Sequence, residues 1–310
     1  MKYSKHIFIT SALIVSFIIN AAPFDSTYVA KPSPTVLLKN ANIYDGDGNE
    51  FLGHDLLIRS GKIEKLANDI DITSIDGELE VLDLTGMWVT PGIIDIHSHM
   101  GVYSAPGVKT SSDGNEATSP VTADVWAEHS VWTQDPQFSL ALQGGITTFH
   151  VLPGSANLIG GRGTTFKNIQ SNTIQGMKFP SAPHSLKMAC GENPKRVYGS
   201  RKRAPSTRMG NIAGYRKAWI DADRYQKRLD SYETKSREAK EIVSPPTRDL
   251  ELETLVGVLN DEILVQNHCY RAEEMAMMID IAKEFGYKIT AFHHAVEAYK
   301  IADLLADNNI

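Results

Sequence analysis

Pro91-Gly92-Ile93-Ile94-Asp95-Ile96-His97-Ser98-His99 is an apolar run that ends in two histidines two positions apart. A continuous apolar run suits a strand covered on both faces, as in a parallel sheet. Residues i and i+2 of an extended strand face the same side, so the His97 and His99 imidazoles point into one space. Paired neutral imidazoles are a natural start for a site holding zinc or another borderline divalent metal.

Further along, similar runs recur at 146–152, weakly at 164–167, and at 185–190, 263–267 and 288–292, with helical patterns between several of them. The clearest helix is expected over 272–285, stopped by Gly286. Strands alternating with helices imply βα units and a parallel sheet, with six strands from about residue 92 onward. His268 and His294 each close one of these strands, and in a barrel such ends converge on one face. His293 is expected to point elsewhere by alternation, the reverse assignment being the alternative. Residues 195–248 carry 15 of the 31 Lys and Arg residues and read as a helical insertion after the fourth strand. Gly160-Gly161-Arg162-Gly163 lacks the Lys-Ser/Thr of a phosphate loop and is expected as a loop at the barrel mouth. Arg162 there, and Arg208 over the mouth of a pocket, are candidate contacts for a substrate carboxylate.

Toward the N-terminus, residues 36–84 show short strands separated by turn signals such as Asp45-Gly46-Asp47-Gly48 and Ser60-Gly61, which predicts a small antiparallel sheet unit. Lys2 and Lys5 precede the apolar run 7–19 and then Ala21-Ala22, the order of a secretory signal peptide. Thirteen residues at about 1.5 Å each fall short of about 30 Å of hydrocarbon, so a stable membrane anchor is not expected. The expected organisation is a signal peptide at 1–21, a linker at 22–35, a β-sandwich segment at 36–90 and a barrel at 91–310. Export to the periplasm or the medium follows, in a compartment where Cys190 and Cys269 could pair. Both cysteines read as buried structural thiols rather than nucleophiles. A formal charge of −6, with no aromatic-studded basic face, argues against nucleic acid as a partner.

The 91–99 stretch, followed by Gly144-Gly145-Ile146-Thr147-Thr148, resembles the amidohydrolase superfamily of metal-dependent hydrolases, in its imidazolonepropionase-like exported branch. Supporting segments are Asp113-Gly114-Asn115-Glu116, Pro153-Gly154-Ser155-Ala156-Asn157, Gly191-Glu192-Asn193-Pro194-Lys195-Arg196 and His294-Ala295-Val296-Glu297-Ala298-Tyr299. The resemblance implies an α/β fold, a (β/α)8 TIM-like barrel beside a small β-sandwich. It also implies hydrolysis of C–N bonds of amides, cyclic amides or peptides by a metal-activated water. One or two divalent ions are implied, zinc first, held by His97, His99, His268 and His294. A supplementary ligand at the fourth strand is either Lys187, carboxylated, or Glu192. The strand-eight aspartate that serves as general base in the superfamily has no counterpart. The chain stops about sixteen residues past its sixth strand, so about six of eight barrel strands are expected, and the sequence reads as the front part of a longer hydrolase. The competing reading is a non-catalytic fragment or binding module. The partner is a small-molecule or peptide substrate, and homo-oligomerisation stays open.

Overall fold

The structure is a computed structural model that describes residues 23–238 and 244–310. The expected signal peptide falls on residues outside the described ones. Among the described residues no helix is long and apolar enough to cross a membrane.

The first sheet has five strands: β1 (Thr35–Tyr44), β2 (Glu50–Arg59), β3 (Lys62–Ala67), β4 (Leu79–Asp83) and β5 (Trp88–Val89). Ser60 and Gly61, at φ 51° and 73°, make the two-residue turn between β2 and β3. Positive φ at both turn residues matches the right-handed twist of the flanking strands. β1–β2 and β2–β3 are antiparallel as expected, but β4 and β5 both run parallel to β1. The sheet is therefore mixed, because the chain reaches β4 through an eleven-residue connection rather than a tight hairpin. Leu37, Leu57 and Ile70 form a core on one side of this sheet, and Ala41, Ile43 and Leu56 form a second cluster.

The second sheet has six strands in the order β11-β10-β9-β8-β7-β6. They are β6 (Ile93–Ser98), β7 (Ile146–Val151), β8 (Ile159–Lys167), β9 (Ser185–Ala189), β10 (Leu264–Cys269) and β11 (Ile289–His294). This sheet curls into a nearly closed, barrel-like wall, so that β6 and β11, its two unpaired edges, bring side chains into contact. The helices are α1 (Gln137–Gln143), α2 (Ile174–Met177), α3 (Glu192–Gly199), α4 (Arg208–Glu238), α5 (Leu250–Leu259), α6 (Ala272–Phe285) and α7 (Ala302–Asp307). Gly286, at φ 80°, terminates α6 as the sequence predicts. The main core lies between the outer face of β9–β11 and α4–α6, around Leu186, Trp219, Leu255, Val265 and Met278.

β8 departs from expectation. It begins at Ile159 rather than near 164, and it runs antiparallel to both neighbours. Seven residues separate β7 from β8, too few for the crossover that a parallel pair needs, so the chain can only turn back. Gly160-Gly161-Arg162-Gly163 consequently lies inside a strand and not in a loop at the mouth. Gly161, at φ 112°, lies so close to Val125 that an added Cβ would stand 2.3 Å from its carbonyl oxygen. Only glycine tolerates both that backbone and that approach.

Candidate active site

Strand register places the site. Lys187 of β9 is in register with Gln266 of β10, and His268 of β10 with His293 of β11. Side chains alternate, so Lys187, Gln266, His268 and His293 share the inner face of the wall. His293 thus points inward, against expectation, and its Nδ1 lies 2.8 Å from Nδ1 of His97 on the opposite edge strand. His294 is in register with Cys269, on the other face, but its φ of 65° turns the chain at the strand end. That turn brings its ring within 4.4 Å of the His268 ring and 5.1 Å of the His97 ring, centroid to centroid. The five imidazoles His97, His99, His268, His293 and His294 are therefore gathered from three segments. His293 is the one that alternation counted from the strand end misses.

The proton positions in this cluster can be followed bond by bond. His99 Nδ1 is 2.8 Å from the Leu152 carbonyl, which can only accept, so the proton is on Nδ1 and Nε2 carries a lone pair. His293 Nε2 lies 2.6 Å from Gln266 Oε1 and donates to it, which leaves its Nδ1 as acceptor for His97 Nδ1–H. His97 Nε2 is then a lone pair as well. These two lone pairs face one another at 3.3 Å.

No imidazolium relieves that encounter. Burial, the Lys187 ammonium and the surrounding rings push His97 down to about 2. Burial and Lys187 likewise bring His293 down to about 4, and burial lowers His99. Burial and the His294 ring bring His268 down to about 3. Lys187 is 1% exposed, and burial pushes its ammonium down to about 7. Glu192, the competing candidate, is the exposed first residue of α3. Gly191, at φ 69°, turns the chain out of β9 before Glu192 is reached, so only Lys187 lies on the inner face.

The donor chemistry suits a divalent ion. Two ligands about 2.0–2.1 Å from a tetrahedral centre stand about 3.3–3.4 Å apart, the separation of the two lone pairs. His268 Nδ1 is also buried without a hydrogen-bond partner. Among the described residues no three His, Cys, Asp or Glu side chains already converge as a complete ligand cluster. The preformed element is the two-nitrogen bite of His97 and His99, bordered by Lys187, His268 and His294.

The two arginines lie elsewhere. Arg162 is in register with Leu186, one residue out of step with Lys187, so it leaves the opposite face of the wall. It is buried there, donates through Nε to Thr254 Oγ1 on α5 and lies 4.2 Å over the Trp126 ring. Arg208 begins α4, pairs with Glu273 and Glu274 of α6, and lines a cleft with Cys190, Asn211 and Met278. The loops that follow β6 and β7 border a different cavity, with Val102 and Pro153, where the charged side chains Asp113, Glu116 and Asp124 are acidic and His129 is the one imidazole.

Cys190 and Cys269 are joined in a disulfide, which corrects their reading as thiols. Each stands at the C-terminal end of an adjacent parallel strand, and their Cα atoms are 5.2 Å apart. That is close to the natural spacing of neighbouring strands.

No family model matches the chain. It is 33% identical over 262 residues to the amidohydrolase tasK of Hapsidospora irregularis, a match covering 81% of this chain and 27% of that protein. It is 32% identical over 119 residues to the imidazolonepropionase of Chromobacterium violaceum, covering 33% of this chain and 28% of that one. The chain thus matches only about a quarter of the length of these curated relatives. A solved amidohydrolase from Thermotoga maritima superposes with a TM-score of 0.78 at 39% identity, over 89% of this chain and 68% of that one.

Proposed function

The chain belongs to the amidohydrolase superfamily, and from that premise we propose that it is a metal-dependent hydrolase of amide-type C–N bonds. The observation that carries the reading is the 3.3 Å approach of His97 Nε2 to His99 Nε2, which the bonds to the Leu152 carbonyl and Gln266 Oε1 leave as facing lone pairs. In an apo protein such an arrangement is repulsive, and a bound cation turns it into a ligand bite. His97 and His99 would hold the ion, with His268, His294 and Lys187 completing its surroundings. Zinc is the first choice, given an imidazole-rich donor set, and the site has room in its chemistry for one or two ions. When bound, the ion supplies a Lewis acid for the scissile carbonyl and a lowered pKa for the attacking water.

The protein's own groups prepare that chemistry. The Leu152 carbonyl and Gln266 lock the tautomers of His99 and His293, and through His293 that of His97. Among the described residues no carboxylate pairs with Lys187, which is partly neutral near pH 7, so its free amine is competent to take up carbon dioxide as a carbamate, releasing one proton. That would convert a repelled cation into an anionic ligand.

Cyclic amides, N-acyl compounds and blocked peptides all present a suitable carbonyl. The acidic lining of the cavity bordered by the loops after β6 and β7 favours a neutral or cationic substrate over one carrying a carboxylate there. Export as a periplasmic or secreted enzyme remains part of the proposal. The test is metal analysis of the protein purified without chelator, together with hydrolysis of a panel of cyclic amides and N-acyl amino acids. About one or more equivalents of metal and chelator-sensitive turnover are expected. Less than half an equivalent with no chelator-sensitive turnover refutes the proposal.

A further inference from the structure

His268 is gripped from one side by the turn after β9. Cys190 N–H donates to the His268 carbonyl at 2.8 Å, and the disulfide ties Cys190 to the residue following His268. Asn211 of α4 donates through Nδ2 to the Gly191 carbonyl, fixing the turn from behind. These ties deliver Asn193, nine-tenths buried, to the ring: its Nδ2 lies 3.0 Å from His268 Nε2 and 2.9 Å from Ser155 Oγ.

An amide has two orientations related by a half-turn, and they dictate opposite tautomers. With Nδ2 toward the ring, Nε2 must accept, the proton sits on Nδ1, and that buried N–H has no acceptor. With Oδ1 in that place, both contacts survive, since Nε2–H and the Ser155 hydroxyl can each donate to it. Nδ1 then becomes a bare lone pair rather than an orphaned donor.

We propose that Asn193 is the positioning residue of His268: its amide oxygen accepts the Nε2 proton and so presents Nδ1 as the nitrogen that binds an ion. This rests on the metal-dependent reading for its purpose, though not for its test. Asn193 acts through His268, setting which ring nitrogen is free.

The experiment is a long-range 15N–1H correlation spectrum of the metal-free protein labelled with 15N-histidine, with the His268 signals assigned through His268→Gln. In the wild type a proton on Nε2 is expected, and the same in Asn193→Asp, whose carboxylate can also accept. A proton on Nδ1 in the wild type, or its transfer to Nδ1 in Asn193→Asp, overturns the proposal. Asn193→Leu, which can neither accept nor donate, is expected to mix the tautomers and to weaken Zn2+ binding about 10- to 100-fold in a chelator competition, with Asn193→Asp restoring it. Should Asn193→Leu fail to fold, the wild-type and Asn193→Asp spectra decide alone. A wild type that binds no metal would refute the hydrolase reading while leaving the tautomer result to stand or fall by itself.

Discussion

Two buried lysines, Lys178 and Lys187, sit in opposite electrostatic worlds. Lys178 donates to Glu128 at 2.6 Å and to the Phe24 carbonyl at 2.8 Å, and Glu128 also receives His184 and Thr164. Burial alone would raise the Glu128 carboxyl, but the His184 and Lys178 hydrogen bonds outweigh it and hold the group at about 2. Among the described residues Lys187 has no carboxylate partner, and its ammonium and the imidazoles of His97, His268 and His293 are all pushed toward neutrality. The first cluster is charge-balanced, although Glu128 Oε1 and His184 Nδ1 are buried without a hydrogen-bond partner. The second is a set of uncharged imidazoles beside a lysine that burial pushes toward neutrality.

The largest effect that could break this contrast is on turnover. His97→Asn and His99→Asn are each expected to lower chelator-sensitive hydrolysis by about a thousandfold or more, while the melting temperature of the metal-free protein holds or rises. A variant that loses its fold instead of its activity would show that these imidazoles serve packing.

Next in size, Lys178→Met should destabilise the protein by about 3–5 kcal/mol in denaturant titration, because Glu128 is left charged and buried. Lys187→Met should cost under about 1 kcal/mol, since it removes a charge that nothing balances. Equal losses would erase the distinction.

Acid should separate the clusters in order. The imidazole pKa values are depressed in the folded state, so the unfolded chain binds more protons below its own value near 6.5. Stability is then full above that pH and falls as pH drops toward the folded values of about 4 to 2, by up to about 1.4 kcal/mol per unit for each ring. Glu128, also depressed, adds a further loss only below its unfolded value near 4.5 and down to about 2. Equilibrium unfolding from pH 8 to 3 with and without Zn2+ checks this, the ion being expected to delay the first phase. The smallest effect concerns Arg208, about half exposed in its pair with Glu273. Arg208→Ala should change stability by less than about 1 kcal/mol and leave kcat and KM unaltered.

The His-x-His pair was legible because strand alternation is rigid within regular backbone. It misled at His293 because the strand's last residue, His294, has left that backbone and reaches the site by its turn, so counting back from it put His293 on the wrong face. Lys187 and Glu192 could not be separated without knowing that Gly191 turns the chain outward. The direction of β8 was readable in principle from the short connection ahead of it. Arg162 was lost with that strand, since a Gly-rich run suggests a loop unless a close backbone approach is known to demand glycine. The neutralising role of Glu128 for Lys178 depends on three distant segments meeting, and no local pattern announces it.

The Cys190–Cys269 bond closes a covalent ring through residues 190–269, with α3, α4 and α5 threaded along it. A protease that cuts one peptide bond on that circuit releases nothing. The two pieces would migrate as one band on a gel until a thiol is added, and the nicked molecule would keep His268 tethered to the neighbouring strand. Wear on the outer helices is thereby uncoupled from loss of the inner wall.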